Sequence, residues 1–521
     1  MQVLLGCDGG GPLGVGHVMR SLALAEAAVA AGHTVVLAGH FEGSFLQGQI
    51  AAAPVEVSHA PTWMADGDPQ PLIDLVARVR PEVLHVDSYV AFDRLRELVA
   101  STGVGATVSN MEDGTFGRRS ADVVVDPTFG AELVARPGDA TTWLLRGSRY
   151  TPVRQRVIDA RRRGCDASWS SREADNRVGQ VARSVLVVMG GTDPVGLVPA
   201  AVDLLARTGL ELEVTAIAVG ENAERARNAA QGSALSLNVL APVDDLAAMM
   251  SGHDLVISAA GTSIWELCCI GVPSAVAWAV DNQRAGYDRV VAAGAAIGLG
   301  GPDLGGDERA VGLLKRALTD WHVRIRLKRA GRQVVDGLGA WRVVRMWEQA
   351  RDVRSLASIG DVDLVARPAT LQDARQLWQW RNDPATRVGS RSPAEVPWDD
   401  HLRWLATSLA RTDRMLLVVE DPRGSVGTVR WDLRGEGEWE VSITVSPERR
   451  GQSLARPLLR TAEVALSESA ASGGNDVTAY LAVVHIDNHT SVRLFETSSY
   501  VPDLPPDPQG FIQFRKDARV A

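Results

Sequence analysis

The sequence predicts an α/β protein with two open, parallel-sheet units in tandem and a third, smaller unit built on a mixed sheet. Three observations carry this expectation. Short, continuous apolar runs alternate with Ala- and Leu-rich helical patterns through the first 350 residues, as in a parallel sheet covered on both faces. Several of these runs end in glycine-rich turns that lead into a helix. After residue 362 the pattern changes to longer, partly alternating runs and basic turns. With 521 residues, 45% hydrophobic and 22% charged, the chain has room for several domains and a sizeable core. A formal charge of −9 argues against a protein made chiefly to hold a nucleic-acid backbone.

In the first unit, Val3–Asp8, Thr34–Ala38, Val83–Tyr89, Ala106–Ser109 and Val123–Asp126 are the expected strands. The N-terminus, MQVLLGCDGG, has no basic leader and reads as the first strand rather than a targeting segment. His17–Ala31 is a helix stopped by Gly32. A polar stretch over residues 161–180 marks a boundary. A second strand set follows at Ser184–Gly190, Leu212–Val219, Leu235–Leu240, Leu255–Ser258 and Ala275–Val280. In the third unit, Leu371–Asn382 is expected as one amphipathic helix with an apolar stripe of Leu371, Ala374, Leu377 and Trp378. His401–Ala410 is another helix. Strands are expected at Met415–Glu420, Val426–Leu433, Trp439–Val445, Val477–Val484 and Phe511–Phe514, with helices at Leu454–Leu466 and Ser491–Glu496. The domains are therefore expected at 1–165, 175–350 and 362–521.

No stretch approaches a membrane span. The four cysteines, Cys7, Cys165, Cys268 and Cys269, form no CxxC pair and fit a reducing cytoplasm. Asp and His residues occur singly at strand ends, so no metal is expected.

The chemistry concentrates after strands. The first strand ends in Asp8, and Gly9-Gly10-Gly11-Pro12-Leu13-Gly14-Val15-Gly16 runs into His17 at a helix start. Glycines clear the approach and first-turn amides offer donors to an anion. The positive helix end disfavours an imidazolium, which suits a neutral general base at His17, although a packing histidine is the bland alternative. The spacing of Gly9, Gly11 and Gly14 matches a dinucleotide fingerprint in letters only, because Pro12 interrupts it and no acid ends the next strand. In the second unit, Met189-Gly190-Gly191-Thr192-Asp193 is another post-strand glycine turn. Gly261-Thr262-Ser263 enters a helix that carries Glu266. This turn suits a diphosphate with a ribose hydroxyl on Glu266, or an ordinary N-cap at Thr262 or Ser263. Asp281-Asn282-Gln283 offers amides to sugar hydroxyls or acetamido groups.

GVGHVMRSLALAEAA, DSY at Asp87–Tyr89, MGGTD, GTSIWELCCIGVP and DNQ together resemble the nucleotide-sugar hydrolases of pseudaminic acid biosynthesis, which share a two-domain glycosyltransferase B fold with lipid II glycosyltransferases. The resemblance covers about residues 1–340. It implies metal-free, inverting hydrolysis of UDP-2,4-diacetamido-2,4,6-trideoxy-β-L-altropyranose. It also implies His17 as the residue that deprotonates or orients water, with Tyr89 and Asn282 holding sugar and water. Gly16, Gly191, Gly261, Thr262, Glu266 and Gln283 fall on the substrate side. Two departures bear on sugar specificity: Gly6-Cys7 replaces the arginine usual before the strand-end aspartate, and Gly9-Gly10-Gly11 replaces a Ser-rich loop. A glycosyltransferase with an unknown acceptor is the nearest alternative.

In the third unit, Arg449-Arg450-Gly451-Gln452-Ser453-Leu454-Ala455 reads as a pyrophosphate turn or as a solvated basic turn. With WRND at Trp380–Asp383, His401, Trp404 and Asn488 through LFETSSY, the order resembles the GCN5-related N-acetyltransferases (GNAT), in the branch acting on UDP-4-amino sugars. The resemblance implies acetyl-CoA as cofactor, held by Arg450, Gly451, Ser453, Ala455 and Asn488, with the thioester between splayed central strands. Ser453 stands where a glycine is usual and Ser499-Tyr500 where Gly-Phe is usual. Phe495 replaces a tyrosine that commonly reprotonates the thiolate. His485 is a candidate acid, and Glu440 and Asp383 are candidate bases. Trp380, Trp404 and Trp439 read as core more readily than as sugar platforms.

Taken together, the resemblances imply a bifunctional enzyme that acetylates a UDP-linked amino sugar and then releases UDP. A regulatory, non-catalytic CoA-binding role for the third unit is the alternative from another class. No nucleic-acid or membrane partner is expected, and the oligomeric state is left open.

Overall fold

The computed structural model describes residues 1–10, 14–59, 68–90, 94–138, 141–166, 181–190, 193, 195–304, 307–353, 363–388, 392–472 and 476–518. The chain divides into two compact units, Met1–Trp347 and Glu348–Ala521.

Among the described residues the first unit holds two sheets, parallel in every pairing. One comprises β1 (Gln2–Cys7), β2 (Thr34–Gly39), β3 (Glu56–His59), β4 (Val83–Asp87), β5 (Thr107–Met111), β6 (Val123–Asp126) and β7 (Trp143–Arg146). Its order is β3-β2-β1-β4-β5-β6-β7. The other comprises β8 (Ser184–Val188), β9 (Leu212–Ile217), β10 (Leu235–Leu240), β11 (Leu255–Ala259), β12 (Ser274–Ala277) and β13 (Ile297–Gly300), in the order β10-β9-β8-β11-β12-β13. Both orders reverse direction beside their first strand, between β1 and β4 and between β8 and β11. A crevice opens at such a switch point, outside the carboxyl ends of the strands. The tandem Rossmann-like expectation is met by this topology.

Burial on both faces explains why these strands are apolar without alternation. In β8, Val185 and Val187 pack in one core layer with Leu205, Val214 and Ile257. Leu186 and Val188 point the other way, against Val256, Ile264, Leu267 and Val276. The expected strand Ala275–Val280 stops at Ala277, and Asp281–Gln283 forms a 3-10 turn. Val280, 45% exposed, has left the sheet.

The second unit is a seven-stranded sheet, ordered β14-β15-β16-β17-β18-β20-β19. Its strands are β14 (Val365–Pro368), β15 (Arg414–Asp421), β16 (Gly424–Gly435), β17 (Glu438–Val445), β18 (Ala479–His485), β19 (Val501–Leu504) and β20 (Phe511–Asp517). Every pairing is antiparallel except β17 with β18. That parallel pair is joined only from Glu438↔Ala479 to Val441↔Ala482, so Ser442–Val445 and Val483–His485 run on unpaired with each other. The sheet splays there.

The expected helix Leu371–Asn382 is corrected. Leu371–Asp373 is a 3-10 turn closed by a capping box on Thr370, and the helix proper is Ala374–Asn382. Leu371 is exposed, and the buried face is Ala374, Leu377 and Trp380. Thr370 and Asp373 satisfy the first amides reciprocally, which ends the helix pattern earlier than hydrophobic periodicity suggests. Among the described residues no helix is long and apolar enough to cross a membrane.

Candidate active sites

His17 opens the helix Gly16–Ala30, which leaves the loop after β1. Asp87 closes β4, paired in register with Cys7 across the switch point. Their side chains meet: His17 Nδ1 lies 2.6 Å from Asp87 Oδ1. Arg20, one turn along the same helix face, donates through Nε to Asp87 Oδ2 at 3.0 Å and through Nη2 to Oδ1 at 2.8 Å. All three side chains are buried.

Burial alone raises the Asp87 carboxyl. The Arg20 charge, with the charge and hydrogen bond of His17, outweighs it and holds the group well below the usual carboxylate range. Asp87 is therefore an acceptor only, and the proton in the 2.6 Å contact belongs to His17 Nδ1. Partners assign this tautomer, which leaves Nε2 of the neutral ring as the basic nitrogen.

Tyr89 packs edge-on against His17, with ring centroids 4.5 Å apart. Its hydroxyl donates to Asp113 Oδ2 at 2.6 Å, and Arg20 Nη1 donates to Asp113 Oδ1 at 2.6 Å. Burial and then the Asp113 charge push the phenol up, so Tyr89 keeps its proton. His17 and Tyr89, expected together from sequence, are thus adjacent.

In the second lobe, Thr262 occupies the N-cap of the helix Ser263–Ile270, but its hydroxyl makes no capping bond. A Cβ on Gly16 would come within 3.3 Å of Thr262 Cγ2, so the histidine loop and this helix start face each other closely. Gln283 accepts the Ala279 amide at 2.8 Å, and its Nε2 stands 3.4 Å from where a Gly261 Cβ would be. Gly16, Gly261, Thr262 and Gln283 are therefore neighbours. Glu266 lies one turn along, with its pKa raised by burial against the opposing charges of Arg156 and Arg154. Gly191 and the Asn282 side chain lie outside the described residues. A small concavity over the carboxyl ends of β8 and β9 is lined by Gly190, Asp193, Ile217, Val219, Asn222 and Pro242. Asp193 caps the helix Leu197–Arg207, accepting from the amides of Leu197 at 2.8 Å and Val198 at 2.9 Å.

In the second unit the basic turn links β17 to the helix Ala455–Ser472. Gly451 and Ser453 both take positive φ, 76° and 57°, and Ala455 is the first helical residue. Arg450 is tied down: Nη1 lies 2.7 Å from Asp383 Oδ2, and Nη2 donates to Thr386 Oγ1 at 2.6 Å. Arg449 pairs with Asp421. Asn488 caps the helix His489–Thr497, accepting from Ser491 N at 3.2 Å.

Phe495 is 3% exposed and packs against Tyr500 and Phe514. Tyr500, also buried, donates to Glu463 Oε1 at 2.8 Å. Of the candidate bases, Asp383 is held by Arg450 and Glu440 by Arg434, at 3.0 Å. His485 accepts the Asp487 amide at 3.3 Å and packs edge-on against Phe511. Trp380 is buried, whereas Trp404 and Trp439 are half-buried. Among the described residues no cluster of His, Cys, Asp or Glu could hold a metal ion.

The roles of Arg20 and Asp113 are absent from the sequence reading. The i, i+3 spacing of His17 and Arg20 signalled a shared helix face. Nothing local signalled Asp113, which reaches the site only through the strand order β1-β4-β5.

Residues 363–500 match the family model for an acetyltransferase (GNAT) domain. The spore coat polysaccharide biosynthesis protein SpsG of Bacillus subtilis is 30% identical over 164 residues, which are 31% of this chain and 48% of that protein. The chain thus spans about half the length of that relative. Among solved structures, MurG of Acinetobacter baumannii aligns with a TM-score of 0.47 at 16% identity, covering 67% of this chain and 99% of that one. The spermidine N-acetyltransferase of Vibrio cholerae, solved with CoA and spermine, aligns with a TM-score of 0.26 at 18% identity, covering 30% and 95%. The chain joins an N-terminal region that resembles SpsG to a C-terminal GNAT acetyltransferase domain.

Proposed function

We propose that the chain is a bifunctional nucleotide-sugar enzyme organised as domains 1–165, 175–350 and 362–521. The last acetylates the amine of a UDP-4-amino sugar. The first two then hydrolyse the product, UDP-2,4-diacetamido-2,4,6-trideoxy-β-L-altropyranose, with inversion. The observation that carries this reading is the buried Asp87–His17 pair at a switch point, opposite the uncapped Thr262 helix start. A pair so arranged supplies a neutral base with one defined nitrogen. In the proposed step, water oxygen bonds to the anomeric carbon as its bond to the UDP oxygen breaks. The water proton passes to His17 Nε2, and the negative charge leaves with UDP. The amides at Gly261–Ser263 suit that departing diphosphate. Tyr89 and Asn282 are proposed to hold sugar and water, Gln283 to offer its amide to the sugar, and Gly191 and Glu266 to flank the nucleotide.

The splay between β17 and β18, with the left-handed turn at Gly451 and Ser453, fits acetyl-CoA. Arg450, Gly451, Ser453, Ala455 and Asn488 would hold it, and when bound it supplies the acetyl group. Phe495 has no proton to give, so a thiolate acid must be another group or water. The reading carries with it a cytoplasmic location, no required metal, and small-molecule partners only.

The test is a mass-spectrometric time course with acetyl-CoA and UDP-4-amino-4,6-dideoxy-N-acetyl-β-L-altrosamine. Gain of one acetyl group followed by UDP and free sugar is expected, and His17→Ala should stop the sequence at the acetylated nucleotide sugar. Acetylation without UDP release by the unaltered chain would favour a transferase awaiting an acceptor. CoA binding with neither step would favour a regulatory role or a different substrate.

A further inference from the structure

We infer that Asp113 is a positioning residue that fixes which nitrogen of His17 faces the substrate, by holding Arg20 and Tyr89 on its two carboxylate oxygens. The role assigned to His17 rests on the hydrolase reading above; the contacts themselves do not.

The polar groups form one unbroken chain. Tyr89 Oη donates to Asp113 Oδ2 at 2.6 Å, and Arg20 Nη1 donates to Oδ1 at 2.6 Å. Arg20 then grips both oxygens of Asp87, whose Oδ1 receives the His17 Nδ1 proton. Arg20 Nη2 also lies 3.2 Å from His17 Nδ1. A guanidinium can only donate, so this contact and the Asp87 contact demand opposite tautomers. If Arg20 turned toward Nδ1, that nitrogen would become the acceptor and the proton would move to Nε2, removing the base. The bond from Nη1 to Asp113 holds the guanidinium in the plane that matches Asp87, a two-oxygen fork geometry.

Asp113 is itself held from behind. Its backbone pairs with Phe116 in both directions at 3.0 Å, closing a tight turn. Asn110 donates to the Gly117 carbonyl at 3.0 Å, and Arg119 donates to Asn110 Oδ1 at 2.7 Å and to the Ser88 carbonyl at 2.8 Å. Gly117 has φ 66°, and a Cβ there would press on the Ser88 carbonyl at 2.7 Å. The turn bearing Asp113 is thus locked to the Asp87–Tyr89 segment that it serves. Support of this kind is what keeps a reactive group in productive geometry.

The experiment is ¹⁵N NMR of the imidazole nitrogens in the full chain, with His17 assigned by comparison with His17→Gln. The unaltered protein should show His17 Nδ1 protonated and Nε2 as the lone-pair nitrogen. Asp113→Asn removes the charge and one acceptor at constant size, and should give two averaged nitrogen signals. In parallel, kcat for UDP release should fall about 100-fold, the order expected for a small misplacement, with KM changed less than about threefold. Asp113→Glu keeps the charge on a longer arm and should show the same changes in smaller degree, so it decides the matter if Asp113→Asn does not fold. Phe116→Ala, which breaks the ring contact with Tyr89 but none of these bonds, should leave the His17 signals as they are. Unaltered His17 signals in a folded Asp113 variant, even with a lowered melting temperature, would overturn the inference. If the unaltered chain releases no UDP, the hydrolase reading fails, while the nitrogen signals still decide the role of Asp113.

Discussion

Ser453 and Ser499 hold φ of 57° and 69°, a left-handed backbone that costs a residue with a Cβ about 1–2 kcal/mol. Both stand where glycine is expected from the family resemblance, so the backbone has kept a conformation that the side chain disfavours. Glycine's larger unfolded-state entropy offsets part of the gain. Ser453→Gly and Ser499→Gly should each stabilise the second unit by roughly 0.5 kcal/mol, read as a raised urea midpoint with unchanged slope. A lowered midpoint would count against this account. His85 provides a pH test. It is fully buried against Ser109 and Trp347, and burial holds its pKa down to about 4. The unfolded chain binds the proton near pH 6.5 and the folded chain only near 4. Stability from this group is therefore complete above about 6.5 and lost as pH falls toward 4, by up to roughly 3 kcal/mol. Urea unfolding at pH 7 and pH 5 should show about 2 kcal/mol of that loss in the unaltered chain and a smaller loss in His85→Gln.

At the scale of elements, the basic turn from Arg449 to Ala455 illustrates how charge and tether compete. Arg450 is partly exposed and paired with Asp383, and a pair of that kind contributes only about 0–1 kcal/mol. Asp383→Asn should therefore leave the turn folded while freeing one positive charge for the CoA phosphates proposed to bind there. CoA affinity by calorimetry should rise about 3- to 10-fold at low salt, with the gain vanishing at high ionic strength. Weaker CoA binding by Asp383→Asn would mean that the tether matters more than the charge. The strands missed by periodicity were β3, β7, β13, β14 and β19, each four residues long. Runs so short carry too few residues to distinguish a period of two from chance, and each is a strand because a neighbour in the sheet pairs with it. The helix starting at Ala374 shows the same limit, since its true buried face includes Trp380 while Leu371 belongs to the cap.

At the scale of the whole molecule, the second compact unit begins upstream of the family match. Gln349, 2% exposed, donates to the carbonyls of Glu496 at 2.8 Å and Tyr500 at 2.7 Å. Gln349→Ala would leave the buried Tyr500 carbonyl and the half-buried Glu496 carbonyl without these partners, at a cost of about 2 kcal/mol to that unit. Thermal unfolding should show a lower transition for the acetyltransferase unit, with the transition of Met1–Trp347 unmoved. A single, unshifted profile would show that the two bonds are replaced by others.

Strand apolarity and post-strand glycine turns were enough to determine the fold class and the tandem arrangement, and the family resemblance then paired His17 with Tyr89 as candidates. Those features are local, and local chemistry is legible along a chain. The tertiary structure alone decided the partner of each polar group. Asp87 meets His17 because β4 lies beside β1, and Asp113 joins them because β5 lies beside β4. The sheet likewise decided where β17 and β18 part. Sequence spacing cannot report such contacts, because a parallel sheet brings together strand ends separated by whole crossover connections.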